Sequence, residues 1–226
     1  ALAEIDSLIA KDYRVVHELE KKALILLLSD KIDSSLMVLE TALVINPNCA
    51  VAYDLIGVAN LKLQEPEDAL YALNRALEID SHFVDVYNDL AGIFLKKGKL
   101  DRAVEQYRHA IEVNPNHIDA LFNLANILAA QGGFGEAVGY YRRVLQVAPH
   151  LDNARFHHNF AGVLHKQGKI QEAINHYRKA LKSEPDRPPS LNNLAWILAT
   201  RQRNSPAIQE AVHLAEKACE KTHYKV

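Results

Sequence analysis

The stretch "VDVYNDLAGIFLKKGKLDRAVEQYRHAIEVNPNH" at residues 84–117 is followed directly by "IDALFNLANILAAQGGFGEAVGYYRRVLQVAPHL" at residues 118–151. When the two stretches are aligned without a gap, they match at a fixed period of 34 residues. The matched pairs are Leu90 with Leu124, Ala91 with Ala125, Gly98 with Gly132, Ala103 with Ala137, Tyr107 with Tyr141 and Pro115 with Pro149. An internal repeat therefore organises this part of the chain.

Further copies of the pattern extend the repeat in both directions, and one of them follows a two-residue insertion. We expect one continuous solenoid domain of about six helix-turn-helix units, because such units stabilise one another by stacking. The predicted segments are residues 1–15 (an N-terminal helix that is a cap or half a repeat), 16–49 (a divergent copy), 50–83, 84–117, 118–151, 154–187 and 188–226 (an irregular final copy). In the final copy, "RQRNSPAIQ" at residues 201–209 predicts a turn longer than the usual one.

The residue pattern within each copy is typical of a pair of α-helices. Leu121, Leu124 and Leu128 recur at the spacing that places side chains on one helical face. Glycines such as Gly98 and Gly132 are expected to end the first helix, since a positive φ is least costly for glycine. Alternating β-branched runs are absent from the sequence. The sequence thus predicts an all-α protein.

The spacing and the recurring Ala, Gly, Tyr and Pro positions resemble the tetratricopeptide repeat (TPR) family, over roughly residues 16–221. Segments such as "NPNHIDALFNLAN" are similar to the repeats of O-linked GlcNAc transferases, and the last repeat resembles those of bacterial TPR proteins. The resemblance implies a right-handed α-α superhelix whose first helices line a concave groove. It also implies a non-catalytic scaffold that binds an extended peptide or a partner helix there.

Repeat position then assigns side chains to the groove wall. The candidate peptide-binding residues are Asp89, Phe122, Asn123, Asn126, Arg155, His158, Asn159, His165, Lys166, Asn192, Asn193 and Trp196. Phe122 and Trp196 are candidate aromatic anchors for a ligand, although Trp196 is equally suited to pack against the terminal turn. Asn126 is expected to face the groove without an assigned role.

One repeat position holds Asn123, Asn159 and Asn193 in successive units, with Asp89 one unit earlier. A column of asparagines offers one donor and one acceptor per repeat, which can satisfy the backbone of an extended ligand. It resembles the asparagine ladder of O-linked GlcNAc transferases. The alternative is structural, because asparagine is a common choice at this position in TPR proteins generally.

Two other functions are compatible with the same sequence. The chain resembles the substrate-recruiting TPR arm of a larger enzyme such as a glycosyltransferase, in which case it has no activity itself. Alternatively it is a self-assembling module, because residues 1–113 carry a net charge of −7 and residues 114–226 a net charge of +5. That polarity favours head-to-tail association into a homo-oligomer. Chaperone C-terminal tails are not expected ligands, since Asp54, Asp89 and Asp119 stand where chaperone-binding members have cations and asparagines.

The sequence offers little for catalysis or for metal binding. It contains no nucleophile elbow, phosphate loop or dinucleotide fingerprint. The eleven histidines do not combine with cysteines or carboxylates at a standard zinc spacing. Cys49 and Cys219 are far apart and are expected to be free thiols. We therefore predict no enzymatic activity, no cofactor and no metal.

The overall charge and hydrophobicity of the sequence indicate which class of partner to expect. The net charge of −2 gives no reason to expect nucleic acid, and "ALILLL" at residues 23–28 is too short to insert across a membrane. The expected partner is a protein or a peptide. The chain begins "ALAEID" without a signal pattern, which we interpret as a segment of a longer protein whose localisation stays unknown.

Overall fold

Twelve α-helices and no strand form in the residues that the computed structural model describes, which are 2–201 and 205–222. The predicted all-α class is confirmed. In chain order the helices are α1 (Leu2–Leu28), α2 (Ile32–Ile45), α3 (Ala50–Lys62), α4 (Pro66–Ile79), α5 (Val84–Lys96), α6 (Leu100–Val113), α7 (Ile118–Ala130), α8 (Phe134–Val147), α9 (Ala154–Lys166), α10 (Ile170–Ser183), α11 (Pro188–Arg201) and α12 (Ser205–Thr222).

Each odd-numbered helix packs against the helix that follows it, which makes six helix-turn-helix pairs. Alanines allow this close packing, since Ala91 on α5 and Ala103 on α6 are fully buried, as are Ala125 on α7 and Ala137 on α8. From α3 onwards the first helices begin at residues 50, 84, 118, 154 and 188. The even spacing is interrupted only before α9, where Asn153 caps the helix by accepting a hydrogen bond from the Phe156 N–H at 2.9 Å.

A three-residue turn joins the two helices in each of the first five pairs. In the third pair Gly98 has a φ of +69°, and the next N–H, from Lys99, donates to the Phe94 carbonyl at 2.8 Å. This reversal closes the first helix at the position where the sequence predicted a glycine stop. The first two pairs use Asp30 and Gln64 in the same left-handed conformation, which costs about 1 kcal/mol relative to glycine.

Both ends of the chain differ from expectation. Residues 2–15, predicted as a separate cap or half repeat, continue the same helix as residues 16–28. The turn predicted over residues 201–209 includes residues 202–204, which lie outside the described residues. The helical pattern resumes earlier than the sequence suggested because Ser205 and Pro206 begin α12, in keeping with the tolerance of proline in a first helical turn.

The chain divides into two compact units, residues 1–117 and 118–226, and the single continuous solenoid domain stays a prediction. Because each pair in a repeat protein contacts only its neighbours, a dividing line falls between pairs. Unit 1 has an aliphatic core that includes Leu39, Leu73 and Leu90. Unit 2 has an aromatic cluster in which Tyr141 stacks on Phe160 with ring centroids 4.9 Å apart.

Candidate functional site

An open cleft of about 420 Å³ lies in unit 2 against the first helices α7, α9 and α11. The second helices contribute Phe134 and Tyr141 from α8 and Tyr177 from α10. No carboxylate is among the lining residues, and Lys166 is the one lysine or arginine there. The lining residues are Asn126, Ala129, Ala130, Phe134, Tyr141, His158, Asn159, Gly162, Val163, Lys166, Tyr177 and Asn193.

Asn126 is the centre of a hydrogen-bond network in this cleft. Its Oδ1 accepts from the Tyr141 hydroxyl at 2.6 Å and from the Asn159 Nδ2 at 2.8 Å. Tyr141 is fully buried, and burial raises the pKa of its hydroxyl, so the proton stays in place to donate. The two bonds occupy both acceptor positions of Asn126 and leave its Nδ2 as the donor that it can offer to a ligand.

A second pair of polar groups lies one repeat further along. The Asn193 Nδ2 donates to the Tyr177 hydroxyl oxygen at 3.1 Å. Burial raises the pKa of Tyr177, so this hydroxyl also keeps its proton and can donate it. Asn193 is exposed, which leaves its Oδ1 accessible as an acceptor.

The predicted asparagine column is therefore only partly assembled in the cleft. Asn159 and Asn193 line it and use their Nδ2 groups internally, so the carbonyl oxygens are what they present. Asn123 is half-buried and lies outside the lining, whereas Asn126, which had no assigned role, connects α7 to α9.

His158 and Lys166 are the other predicted residues that line the cleft. The His158 Nδ1 lies 2.9 Å from the Oγ of Ser190, which is fully buried on α11. Burial and then the charge of Arg187 lower the pKa of His158, so its ring is neutral near pH 7. His158 thus adds a neutral hydrogen-bonding ring to the cleft.

Trp196 and His165 lie together at the rim, on α11 and α9. Their ring centroids are 5.4 Å apart, and the Trp196 side chain is 53% exposed. Burial lowers the pKa of His165, and the positive charges of Arg201 and Lys166 add to this effect. The indole thus has an accessible face beside cationic groups.

Four predicted residues have other positions. Phe122 is 7% exposed and packs against Phe156 beneath the Arg155 guanidinium, which is 5.2 Å from the Phe122 ring centroid. The aromatic cluster of unit 2 covers this ring, and its role as a ligand anchor stays a prediction. Asn192 is exposed but does not line the cleft, and Asp89 belongs to unit 1.

The corresponding wall of unit 1 is acidic. Burial, together with the charges of Asp89 and Asp85, raises the pKa of Asp54 to about 7. Burial and then the charge of Asp85 raise the pKa of Asp89 as well. The Oδ1 atoms of Asp54 and Asn88 are buried without a hydrogen-bond partner among the described residues. These carboxylates therefore repel one another on α3 and α5.

Sequence reasoning missed the two hydroxyls that complete the cleft. The repeat alignment used Tyr141 only as a recurring residue, and Tyr141 and Tyr177 are both buried in the structure. The sequence feature that could have indicated these hydroxyls is Asn126, because the next repeat has Gly162 at the same position. A Cβ at Gly162 would lie 3.7 Å from the Tyr177 hydroxyl. This repeat position therefore faces a tyrosine in both repeats, Tyr141 in the first and Tyr177 in the second.

Among the described residues, no helix is long and apolar enough to cross a membrane. Nor do those residues contain a group of three or more His, Cys, Asp or Glu side chains that could hold a metal ion. Cys49 is buried, and both cysteines are free thiols.

Three family models match parts of the chain. A tetratricopeptide repeat model matches residues 117–183, a TPR repeat model matches residues 91–132, and a further tetratricopeptide repeat model matches residues 162–220. No curated protein matches the sequence. The matching models describe repeats and no enzymatic domain.

Solved TPR structures have the same fold. PilF of Pseudomonas aeruginosa is 17% identical with a TM-score of 0.78, over 95% of this chain and 100% of PilF. YrrB is 18% identical with a TM-score of 0.71, over 82% of this chain and 93% of YrrB. MamA of Desulfovibrio magneticus RS-1 is 18% identical with a TM-score of 0.66, over 78% of this chain and 97% of MamA.

The chain belongs to the tetratricopeptide repeat family, as its repeat pattern predicted. Proteins of this family typically mediate protein–protein interactions, and the coarse prediction of a protein-binding repeat protein is confirmed.

Proposed function

We propose that this protein is a non-catalytic interaction module whose unit 2 cleft binds an extended segment of a partner protein through its main chain. The observation that carries the proposal is the arrangement of two donor–acceptor pairs in the cleft. Asn126 and Asn159 supply the first pair, and Tyr177 and Asn193 supply the second.

The internal hydrogen bonds decide what each pair offers. Because the Asn126 Oδ1 and the Asn159 Nδ2 bond to each other, the groups left for a ligand are the Asn126 Nδ2 and the Asn159 Oδ1. In the second pair, the Tyr177 hydroxyl proton and the Asn193 Oδ1 are left for a ligand. Each pair therefore presents one donor beside one acceptor.

A peptide main chain is the ligand that matches this arrangement. Every residue of it other than proline carries one N–H donor and one C=O acceptor, and an extended segment leaves both unpaired. A regular helix pairs these groups internally, so it matches the cleft less well. Recognition of the main chain gives affinity without strict dependence on the ligand sequence.

The fixed orientation of the amides supports a binding role. Tyr141 and Tyr177 are less than 2% exposed. The Tyr141 hydroxyl is hydrogen-bonded to Asn126 and the Tyr177 hydroxyl to Asn193, so both amides are oriented in the absence of a ligand. Groups that are already ordered lose less conformational entropy on binding. YrrB, which shares this fold, is described as a TPR protein with an unusual peptide-binding site.

Binding of a fluorescein-labelled peptide library to the 226-residue chain, measured by anisotropy, tests the proposal. We expect Asn159→Ala and Asn193→Ala each to weaken binding about tenfold, the usual cost of losing one buried ligand hydrogen bond. Tyr177→Phe should weaken it by a similar factor, because it removes the hydroxyl donor and leaves the ring.

Asn175→Ala is the matched control, since Asn175 is an exposed asparagine on α10 that does not line the cleft. It should leave binding unchanged. Equal affinities for the wild type, the Asn159→Ala/Asn193→Ala double variant and this control would contradict the proposal.

A further inference from the structure

Trp196 occupies the wall position that Asn126 and Gly162 hold in the two preceding repeats. It follows Asn193 by one helical turn on α11, so the two side chains share a face of that helix. Asn193 lines the cleft, and the Trp196 indole is about half exposed beside it. A large apolar surface of this kind, at the edge of a polar cleft, is characteristic of a binding anchor.

Two cationic side chains lie near the histidine ring that contacts the indole. His165 contacts it at 5.4 Å between ring centroids, and Lys166, next in sequence, lines the cleft. Arg201 and Lys166 are close enough to His165 for their charges to act on its ring. Within the described part of the chain, neither of these two cations forms an ion pair, whereas Arg178 and Arg142 on the second helices pair with Glu210 and Glu172.

From these contacts we infer that Trp196, Lys166 and Arg201 form a side-chain subsite for an aromatic residue of the ligand that is flanked by carboxylates. The inference rests on the proposed main-chain binding and adds selectivity to it. The indole face packs against the aromatic ring, and the two cations meet the neighbouring Asp or Glu side chains. Cationic ligand segments are disfavoured at this subsite, because no carboxylate lines the cleft.

Three peptides of otherwise identical neutral sequence test the inference. They carry Glu-Phe-Glu, Lys-Phe-Lys or Glu-Ala-Glu at the centre and a fluorescein label at one end. In anisotropy titrations the Glu-Phe-Glu peptide should bind about tenfold more tightly than either of the others. Trp196 is the sole tryptophan of the sequence, so unlabelled Glu-Phe-Glu peptide should also change the intrinsic tryptophan fluorescence on binding.

Variants separate the subsite from the main-chain contacts. Trp196→Ala should remove the preference for Phe over Ala, and Lys166→Ala combined with Arg201→Ala should remove the preference for Glu over Lys. The matched controls are Tyr71→Ala, an aromatic residue 67% exposed on α4, and Lys182→Ala, an exposed cation on α10. Both controls should retain both preferences.

The outcomes distinguish the two proposals. If all three peptides bind equally and Trp196→Ala has no effect while Asn159→Ala still weakens binding, the subsite is overturned and main-chain binding stands. If none of the peptides binds at millimolar concentration, both proposals are overturned.

Discussion

The first-helix walls of the two units are built on the same repeat and carry opposite chemistry. At one repeat position unit 1 has Asp54 and Asn88, and at the same position unit 2 has Phe122 and His158. The unit 1 wall crowds carboxylates whose burial and mutual repulsion raise their pKa values. The unit 2 wall arranges amides and hydroxyls that satisfy one another and still leave groups for a ligand.

The difference shows what the repeat fixes and what it leaves open. Positions between helices have to be small or apolar, so Ala91 and Ala125 are fully buried in unit 1 and unit 2 respectively. Positions on the wall are less constrained, and one of them holds Asp54, Asn88, Phe122 and His158 in successive repeats. Function in a repeat protein is therefore set by the wall residues, and the fold alone does not reveal it.

The largest expected change in stability comes from a substitution in the aromatic cluster of unit 2, and it tests whether this cluster supports the cleft. Phe160 is 1% exposed and stacks on Tyr141, whose hydroxyl holds Asn126. Phe160→Ala should lower the free energy of unfolding by about 4 kcal/mol, because it leaves a cavity in the core. Leu90→Ala at the same repeat position of unit 1 should cost about 3 kcal/mol.

Denaturant unfolding followed by circular dichroism gives both values. Only Phe160→Ala should also weaken peptide binding. Retention of full peptide affinity by Phe160→Ala at a temperature where it is folded would show that the cluster does not support the cleft.

Sequence reasoning predicted the helical pairs because they depend on local signals that recur. The three glycine turns have the positive φ that their positions predicted, at Gly98, Gly132 and Gly168. The same reasoning missed Asp30 and Gln64, which adopt that conformation without the glycine signal. Helix ends were harder still, as the continuous α1 shows.

The candidate site was only partly predictable, because it depends on which side chains meet across repeats. Repeat position assigned Asn159, Asn193 and Phe122 to one wall, whereas in the structure Asn159 and Asn193 line the cleft and Phe122 is buried. Phe122 turns inward because Tyr141 and Phe156 provide an aromatic environment, a property of three helices that no single repeat encodes. The hydroxyl of Tyr141 reaches Asn126 for a similarly non-local reason.

The acidic wall of unit 1 should make its stability fall as the pH rises. The folded pKa of Asp54 is about 7 and the unfolded value is about 4, so the contribution of this group is full at low pH and is lost as the pH rises through about 7. Asp54→Asn should therefore raise the free energy of unfolding by about 2 kcal/mol near pH 8 and change it little near pH 4.

Amide hydrogen exchange in α3 and α5, compared at these two pH values, measures this effect. The control is Asp68→Asn, an exposed carboxylate at the start of α4. An equal effect of Asp54→Asn at both pH values would contradict the claim that burial and neighbouring carboxylates raise the pKa of Asp54.

Unit 2 should respond to acid in the opposite direction. His176 lies with its Nδ1 3.1 Å from the Nδ1 of His157, and burial, the charge of His157 and the charge of Lys179 lower the pKa of His176 to about 4. Its contribution to stability is therefore present above about pH 6.5 and is lost as the pH falls towards 4. Acidification from about pH 7 to pH 5 should destabilise α9 and α10 by about 1 kcal/mol. His176→Gln should reduce this dependence without abolishing it, because burial also lowers the pKa values of His157 and His158 on α9.

The same hydrogen-exchange series reports on both units in one sample. His82→Gln, at an exposed histidine of unit 1, serves as the control and should not alter the response. If acidification changed the hydrogen-exchange rates of both units in the same direction, the predicted electrostatic difference between the units would be contradicted.

The smallest effect concerns the ion pairs between second helices. Arg178 donates to both carboxylate oxygens of Glu210, at 2.8 and 3.1 Å, and both side chains are substantially exposed. Arg178→Ala should lower the thermal stability only slightly, equivalent to about 0.5 kcal/mol, and the effect should vanish at high salt. A loss several times larger in a thermal melt would mean that these pairs contribute more to the stacking of repeats than the packed alanines do.

A crystal structure of the protein with the Glu-Phe-Glu peptide is the most direct test of main-chain recognition by the unit 2 cleft. It should show the extended peptide with its N–H groups donating to the Oδ1 atoms of Asn159 and Asn193, and with its carbonyls accepting from Asn126 and Tyr177. A peptide bound along the acidic wall of unit 1, or in the cleft as a helix with no main-chain contact to these residues, would contradict the account.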